Sequence, residues 1–230
     1  MRRMTPADLD EVVELHVLCF PSYFLTRLGR QFLREFYLEA MAEIALVAVI
    51  DGDVAGTQLT FTRPSTTFLR MLRNGGARFA IAAAPTVGQG PWQAMRVALA
   101  LLKPFQARRP KGEATAMFTA VNPNLRGKGI AKLLLKRMLA EADLVGVTSI
   151  HGENEDDPKL NSLYESVGFV KRKTHQTVDG RRKVEMWAAV KRATAMLAGD
   201  PDFQAAVIEA EQSPPSSIRP AVEGSTQGIS

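Results

Sequence analysis

Glycines and cations are concentrated in Val121-Asn122-Pro123-Asn124-Leu125-Arg126-Gly127-Lys128-Gly129-Ile130-Ala131-Lys132. Pro123 closes an apolar strand pattern, and a strongly apolar helical pattern opens at Gly129. Glycine lets backbone amides approach a ligand with no side chain in the way. A new helix begins with unpaired N–H groups and the positive end of its dipole, a combination that holds phosphate oxygens. Arg126, Lys128 and Lys132 add positive charge at the same place. The chemistry expected here is capture of a phosphorylated ligand. It is not that of the common nucleotide loops. The G-x-x-x-x-G-K-[ST] pattern is absent, and Lys132 occupies the third glycine position of a G-x-G-x-x-G fingerprint. A Cys-based zinc site and an HExxH zinc helix are excluded as well, because Cys19 is the single cysteine and His16, His151 and His175 show no HExxH spacing.

Arg126 to Ala131 reads R-x-x-G-x-A, and Leu163-Tyr164-Glu165-Ser166-Val167-Gly168-Phe169 reads L-Y-E-x-x-G-F. In this order and on these elements, the two segments resemble the GNAT superfamily of acyl-CoA-dependent N-acetyltransferases. The resemblance implies that Gly127, Lys128, Gly129, Ile130, Ala131 and Lys132 hold the pyrophosphate of CoA mainly through their amides, with Arg126 beside them. It implies that Thr119, Ala120 and Val121 offer backbone groups to the pantetheine arm, the Val121 N–H polarising the thioester carbonyl. It also implies that Tyr164 gives a proton to the departing thiolate. That role suits a phenol, which stays protonated at neutral pH while a thiolate with a pKa near 8.5 can accept from it. The family often places Asn seven residues before the tyrosine and a small residue four before it; here these are Asp157 and Leu160. Asn161 is the nearby amide available for the cofactor contact.

An amine acceptor must lose a proton, so a base is required. Glu153 is the first candidate, at the end of the strand where relatives often carry a carboxylate; Glu113 and His151 are alternatives. Each also reads as an ordinary charge at a strand end. His16 falls on the apolar stripe of the first helix and reads as a core histidine. Cys19 reads as a small buried hydrophobe.

Patterning supplies the elements that position these groups. Strands are expected at Arg2 to Met4, Ile44 to Ile50 and Val54 to Thr62, the last two joined by Asp51-Gly52, and again at Ala114 to Val121 and Thr148 to Glu153. A last hairpin joins Phe169 to Val178 with Arg181 to Val190. Helices are expected from Thr5 to Phe20, Thr26 to Met41, Gly129 to Ala142 and Pro158 to Val167. Pro64 to Gly112 interrupts the rhythm, with helical pieces at Thr66 to Arg73 and Trp92 to Phe105 joined by a Gly- and Ala-rich passage. The fold class is therefore mixed α/β (α+β): a GNAT-like twisted mixed sheet flanked by helices, with a helical insertion between the third and fourth strands. CoA is expected to enter where two parallel strands diverge. The expected organisation is an acyltransferase domain over 1–190 that includes the 64–112 insertion. A helical C-terminal extension follows over 191–212, and the Ser- and Pro-rich stretch 213–230 is expected to be a disordered tail.

The 230 residues are 46% apolar and 23% charged, enough to bury a core without disulfides. Thr5-Pro6-Ala7-Asp8 stands where a signal peptide would need an apolar run, and lone-cysteine usage fits a reducing compartment. A cytoplasmic location is expected, with no membrane partner. The net charge of +5 favours anionic partners. Lys171-Arg172-Lys173 and Arg181-Arg182-Lys183 are expected to face each other across the hairpin without balancing acids. They form either a solvated edge or an RNA patch; no aromatic residues interleave to stack bases, so nucleic acid is disfavoured.

The reaction expected is transfer of an acetyl or longer acyl group from CoA to a primary amine, preferably of a small molecule, by direct attack in a ternary complex. Acetyl-CoA or another acyl-CoA is the co-substrate, no metal is required, and a homodimer is compatible. The alternative is a non-catalytic acyl-CoA-binding or RNA-associated module of the same fold. The 64–112 insertion is expected to line the acceptor pocket or to serve as support.

Overall fold

The computed structural model describes residues 1–88, 110, 112–177 and 180–213. Seven strands form one sheet in the order β1-β2-β3-β4-β5-β7-β6. They are β1 (Arg2–Arg3), β2 (Ile44–Ile50), β3 (Asp53–Phe61), β4 (Glu113–Val121), β5 (Ser149–Glu155), β6 (Val170–Gln176) and β7 (Arg182–Ala189). Only β4 and β5 run parallel; every other neighbouring pair is antiparallel. The helices are α1 (Leu9–Cys19), α2 (Phe24–Arg27), α3 (Arg30–Ala40), α4 (Pro64–Val87), α5 (Ile130–Leu144), α6 (Pro158–Glu165), α7 (Val190–Leu197) and α8 (Pro201–Gln212). No helix among the described residues is long and apolar enough to cross a membrane.

Strand alternation sends side chains to two cores. Ile44, Leu46 and Ala48 of β2, with Ile150, Val184 and Met186, pack under Leu134, Leu135, Met138 and Leu139 of α5. Ala45 and Val47, with Leu59, Phe61 and Phe118, pack against α1, α3 and α4 on the opposite face. The β2 and β3 runs look continuously apolar because both faces of the sheet are covered. The β2–β3 hairpin turns at Asp51 and Gly52, both with positive φ (54° and 98°), as its short connection demands.

Two helical expectations change in detail. The stretch expected as one helix from Thr26 to Met41 is divided at Gly29 (φ 96°) into α2 and α3. In the opposite sense, α4 is a single 24-residue helix passing through Gly75, Gly76 and Pro85. Packing outweighs the poor helical propensity of those residues. Gly75 is buried, and a Cβ there would lie 2.9 Å from the Phe79 ring. Phe79 in turn meets Phe32 of α3, while Arg70 and Arg78 pair with Glu43 and Glu35. The inner face of α4 is thus part of the second core. The expected helix from Trp92 to Phe105 and the tail beyond 213 fall outside the described residues.

The C-terminal helices break near Asp200, whose side chain caps α8 by accepting from the Phe203 N–H. Phe203, Ala206 and Ala210 of α8 then pack into the first core.

Candidate active site

The site is built where β4 and β5 stop being neighbours. Their pairing runs from Glu113 opposite Ser149 to Ala116 opposite Gly152 and then ends. Past that point β4 stays with β3 as far as Val121, and β5 stays with β7 as far as Glu155. The cause is a bulge: Leu59 pairs with Phe118 but Thr60 with Ala116, leaving Met117 as an extra residue in β4. Such an insertion bends its strand and turns the residues beyond it in a new direction. The edge of β4 from Met117 to Val121 consequently faces β5 with no strand partner, and its backbone donors and acceptors are available to a ligand.

Beyond Val121 the chain makes an Asx turn, the Asn122 side chain accepting from the Asn124 N–H (3.1 Å). It then passes Gly127 (φ 81°) and Gly129 (φ 82°) before α5 begins at Ile130. A Cβ at either glycine would meet nothing within 4 Å, so the space beside the loop is open and the glycines serve its left-handed backbone. Leu133 returns its N–H to the Gly129 carbonyl and no side chain caps the helix. The amides of Ile130, Ala131 and Lys132 therefore point out of the helix end. Lys128 and Lys132 stand beside them, with no carboxylate paired to either among the described residues. Arg126 lies differently: its guanidinium turns back toward the Val121 carbonyl (3.4 Å) and the Cys19 sulfur (3.8 Å). Gly56 lets the first turn of α5 sit on the sheet, since a Cβ there would come within 3.2 Å of Ile130.

On the α5 face, the Tyr164 side chain is fully enclosed and its ring meets Phe169 edge-on. Its hydroxyl lies 3.0 Å from Thr119 Oγ1, and the Asn154 amide lies beside it. Burial pushes the phenol above its ordinary ionisation range, and the Asn154 amide opposes this. Tyr164 is held as a neutral acid. Asp157 caps α6 by accepting from the Leu160 N–H (2.9 Å), which gives this departure from the family pattern a structural use. Asn161 donates to Asp156 (3.0 Å), while its Oδ1 is buried with no partner among the described residues.

Glu153 faces the other way, with Glu155, because strand neighbours alternate. It is half exposed, 3.2 Å from His175 and 3.5 Å from the Lys183 ammonium. Lys183 is buried, reaches the Tyr23 hydroxyl (3.1 Å), and lies within 3.9 Å of Glu155. Burial works against its charge, but Tyr23, Glu153 and Glu155 outweigh this and keep it an ammonium. Glu113 stands at the far end of β4, six residues and roughly 20 Å of strand from Thr119. His151 is buried within the paired part of β5, 3.8 Å from Glu185. Ala120 completes the unpaired edge and packs into the second core.

Residues 110–189 match the family described as acetyltransferase (GNAT) domain. Solved structures of N-acetyltransferases share the fold of this chain. One is the ribosomal-protein-S18-alanine N-acetyltransferase from Escherichia coli, 15% identical over 82% of this chain and 91% of that one, with a TM-score of 0.51. Another is the ribosomal-protein-alanine N-acetyltransferase from Brucella melitensis, at 19%, 82%, 98% and 0.54 by the same measures. A third is a spermidine N-acetyltransferase from Vibrio cholerae, at 15%, 84%, 95% and 0.54. No curated protein matches the sequence significantly.

Sequence reasoning missed Tyr23, Gln58, Asn154 and the role of Lys183. Gln58 alone left a signal, a fully buried amide inside the apolar strand Val54 to Phe61. The expectation that the basic hairpin lacks balancing acids is corrected. Because β7 inserts between β5 and β6, the end of β5 lies alongside it. Asp156 meets Lys171 and Arg182, and Glu155 meets Arg181. The two basic clusters are also out of register, Lys173 opposing Glu185 and Lys183 opposing His175.

Proposed function

We propose that this chain transfers an acetyl group from acetyl-CoA to a primary amine of a small molecule, by direct attack across the gap between β4 and β5. The observation that carries the reading is the separation of those strands past Ala116 and Gly152, with Tyr164 on one face and Glu153 on the other. The residues present fit CoA. An open glycine loop with free helix amides and two unpaired lysines suits a pyrophosphate, and the buried Asn161 Oδ1 suits an amide N–H of the pantetheine arm. Acetyl-CoA supplies an activated acetyl group on a thiol leaving group.

The chain's own residues do the rest. The Val121 N–H polarises the acyl carbonyl. Tyr164 gives its proton to the leaving sulfur, and its enclosed position keeps that proton in place at neutral pH. Glu153 stands on the amine's side of the gap, where a carboxylate attracts an ammonium and accepts its proton. Holding both reactants across one gap supplies much of the acceleration. A small acceptor is favoured by the contact of the hairpin with the α1–α2 connection. Arg181 lies 5.5 Å and Lys183 4.9 Å from the Tyr23 ring, narrowing access from that side.

The test is a panel of amines with acetyl-CoA and longer thioesters, followed by thiol release. Tyr164→Phe is expected to lower kcat by about 10²–10⁴-fold while leaving CoA affinity intact by calorimetry. Gly129→Leu is expected to weaken CoA binding, since a side chain at φ 82° displaces the loop. Absence of heat from every CoA thioester, or a Tyr164→Phe variant as fast as the parent, refutes the reading.

A further inference from the structure

Gln58 is buried completely in β3, and its amide can be oriented from its neighbours. Its Nε2 is surrounded by acceptors: Thr60 Oγ1 at 2.9 Å, the Leu59 carbonyl at 3.3 Å and Met138 sulfur at 3.3 Å. Nε2 must therefore be the donor end, and Oε1 is the atom that meets the Thr119 hydroxyl. A carbonyl oxygen only accepts, so Thr119 spends its one proton on Gln58. Facing Tyr164 at 3.0 Å, Thr119 then has only lone pairs to offer. The Tyr164 O–H consequently points at Thr119, and its own lone pairs are left for a donor.

That donor is beside it. Asn154 lies two residues past Gly152, on the face of β5 that Tyr164 occupies, beyond the last pairing with β4. Its amide neighbours the Tyr164 hydroxyl, and its Nδ2 is buried without a well-formed hydrogen bond among the described residues. A buried donor in that condition is costly unless the working state uses it.

We propose that Gln58 and Asn154 are positioning residues for Tyr164. Gln58 acts through Thr119 to fix where the Tyr164 proton points, and Asn154 donates to the oxygen that remains when that proton leaves. The inference rests on the reading of Tyr164 as the proton donor. In the step concerned the Tyr164 O–H turns from its resting place on Thr119 to the leaving thiolate, the O–H bond breaks and an S–H bond forms. The phenolate is later reprotonated by the proton the amine has released.

The two residues act on the phenolate in opposite senses. With Gln58 intact, the Thr119 proton is withheld from Tyr164; without it, Thr119 turns and donates to the phenolate. Removing Asn154 takes a donor from the phenolate. The sequence has three tyrosines, so uniform ¹³Cζ labelling gives three signals, and Tyr164→Phe assigns the relevant one. Gln58→Met, of equal length, is expected to move the Tyr164 titration to lower pH, and Asn154→Leu to higher pH. Gln58→Leu serves the same purpose if the Met variant does not fold. The alkaline limb of kcat is expected to follow the same two directions. Asn154→Leu is expected to lower kcat about tenfold with KM for acetyl-CoA within about twofold. Titrations that stay put, or that move together in one direction as general loosening would move them, overturn the proposal. Opposite shifts in a chain that turns over no thioester support the hydrogen-bond order and count against the acetyl-transfer reading alone.

Discussion

Residues of one type differ here by what surrounds them. Tyr37 is fully enclosed and bonded to His16 Nδ1 (2.8 Å), and burial lifts its ionisation far above the ordinary range. Tyr164 is equally enclosed, but its hydroxyl lies 3.0 Å from Thr119 Oγ1, in the part of β4 that has parted from β5. His16 itself is a core residue, in edge contact with Phe20, Tyr37 and Phe118. Burial pushes its pKa down to about 4. Above about pH 6.5 it is neutral in the folded and unfolded chain alike. As the pH falls toward 4 the unfolded chain takes up a proton that the folded one refuses, so the stability tied to His16 is lost across that window. The loss amounts to about 3 kcal/mol. Urea unfolding at intervals from pH 7 to 4 is expected to show this slope in the parent and a flatter one in His16→Phe; parallel slopes would contradict the assignment.

Among the secondary-structure elements, the two motif glycines Gly129 and Gly168 have different work. Gly129 opens α5 and has empty space beside it, so its contribution is the direction of free amides. Gly168, in the L-Y-E-x-x-G-F segment, turns the chain from α6 into β6 at φ 92°. A Cβ there would come within 2.9 Å of the Ala193 backbone in α7. Gly168→Ala is therefore expected to cost roughly 2–4 kcal/mol through left-handed strain and overpacking. Gly129→Ala should cost no more than the strain, about 1–2 kcal/mol. Chemical denaturation of the two variants side by side checks this, and equal losses would be the contrary result. These glycines were legible in the sequence because their motifs are local. The continuity of α4 was not, since Gly75, Gly76 and Pro85 are tolerated only because α3 packs against that helix. Deleting α4 would remove Met71, Phe79, Ala82 and Ala83 from the second core, so its loss tests stability before it tests selectivity.

Across the whole molecule, a buried ionic knot joins the ends of the chain to its middle. Glu141 of α5 is completely buried between Arg137, one helical turn away, and Arg3 of β1. Arg137 also reaches the Ala206 carbonyl (3.2 Å) and Glu209 (2.9 Å) of α8. Burial raises the Glu141 carboxyl, and the two arginines oppose this. Glu141→Ala would leave buried guanidinium groups without their shared partner and is expected to cost about 3–5 kcal/mol, read from the urea midpoint. A change below about 1 kcal/mol would show that the knot contributes little.

Local sequence was enough to specify most strands and helices, the glycine loop before α5 and the tyrosine helix. Each is set by periodicity, capping or turn chemistry within a few residues. Three-dimensional packing was needed to establish that Met117 bulges, that β4 and β5 part beyond Ala116 and Gly152, and that β7 lies between β5 and β6. It was needed too for the acids that neutralise the basic hairpin, and for the joining of Gln58, Thr119 and Tyr164 in one chain of hydrogen bonds. The difference is one of range. A strand's register depends on two neighbours at once, and residues 45 and 61 positions apart meet only when both pairings are in place.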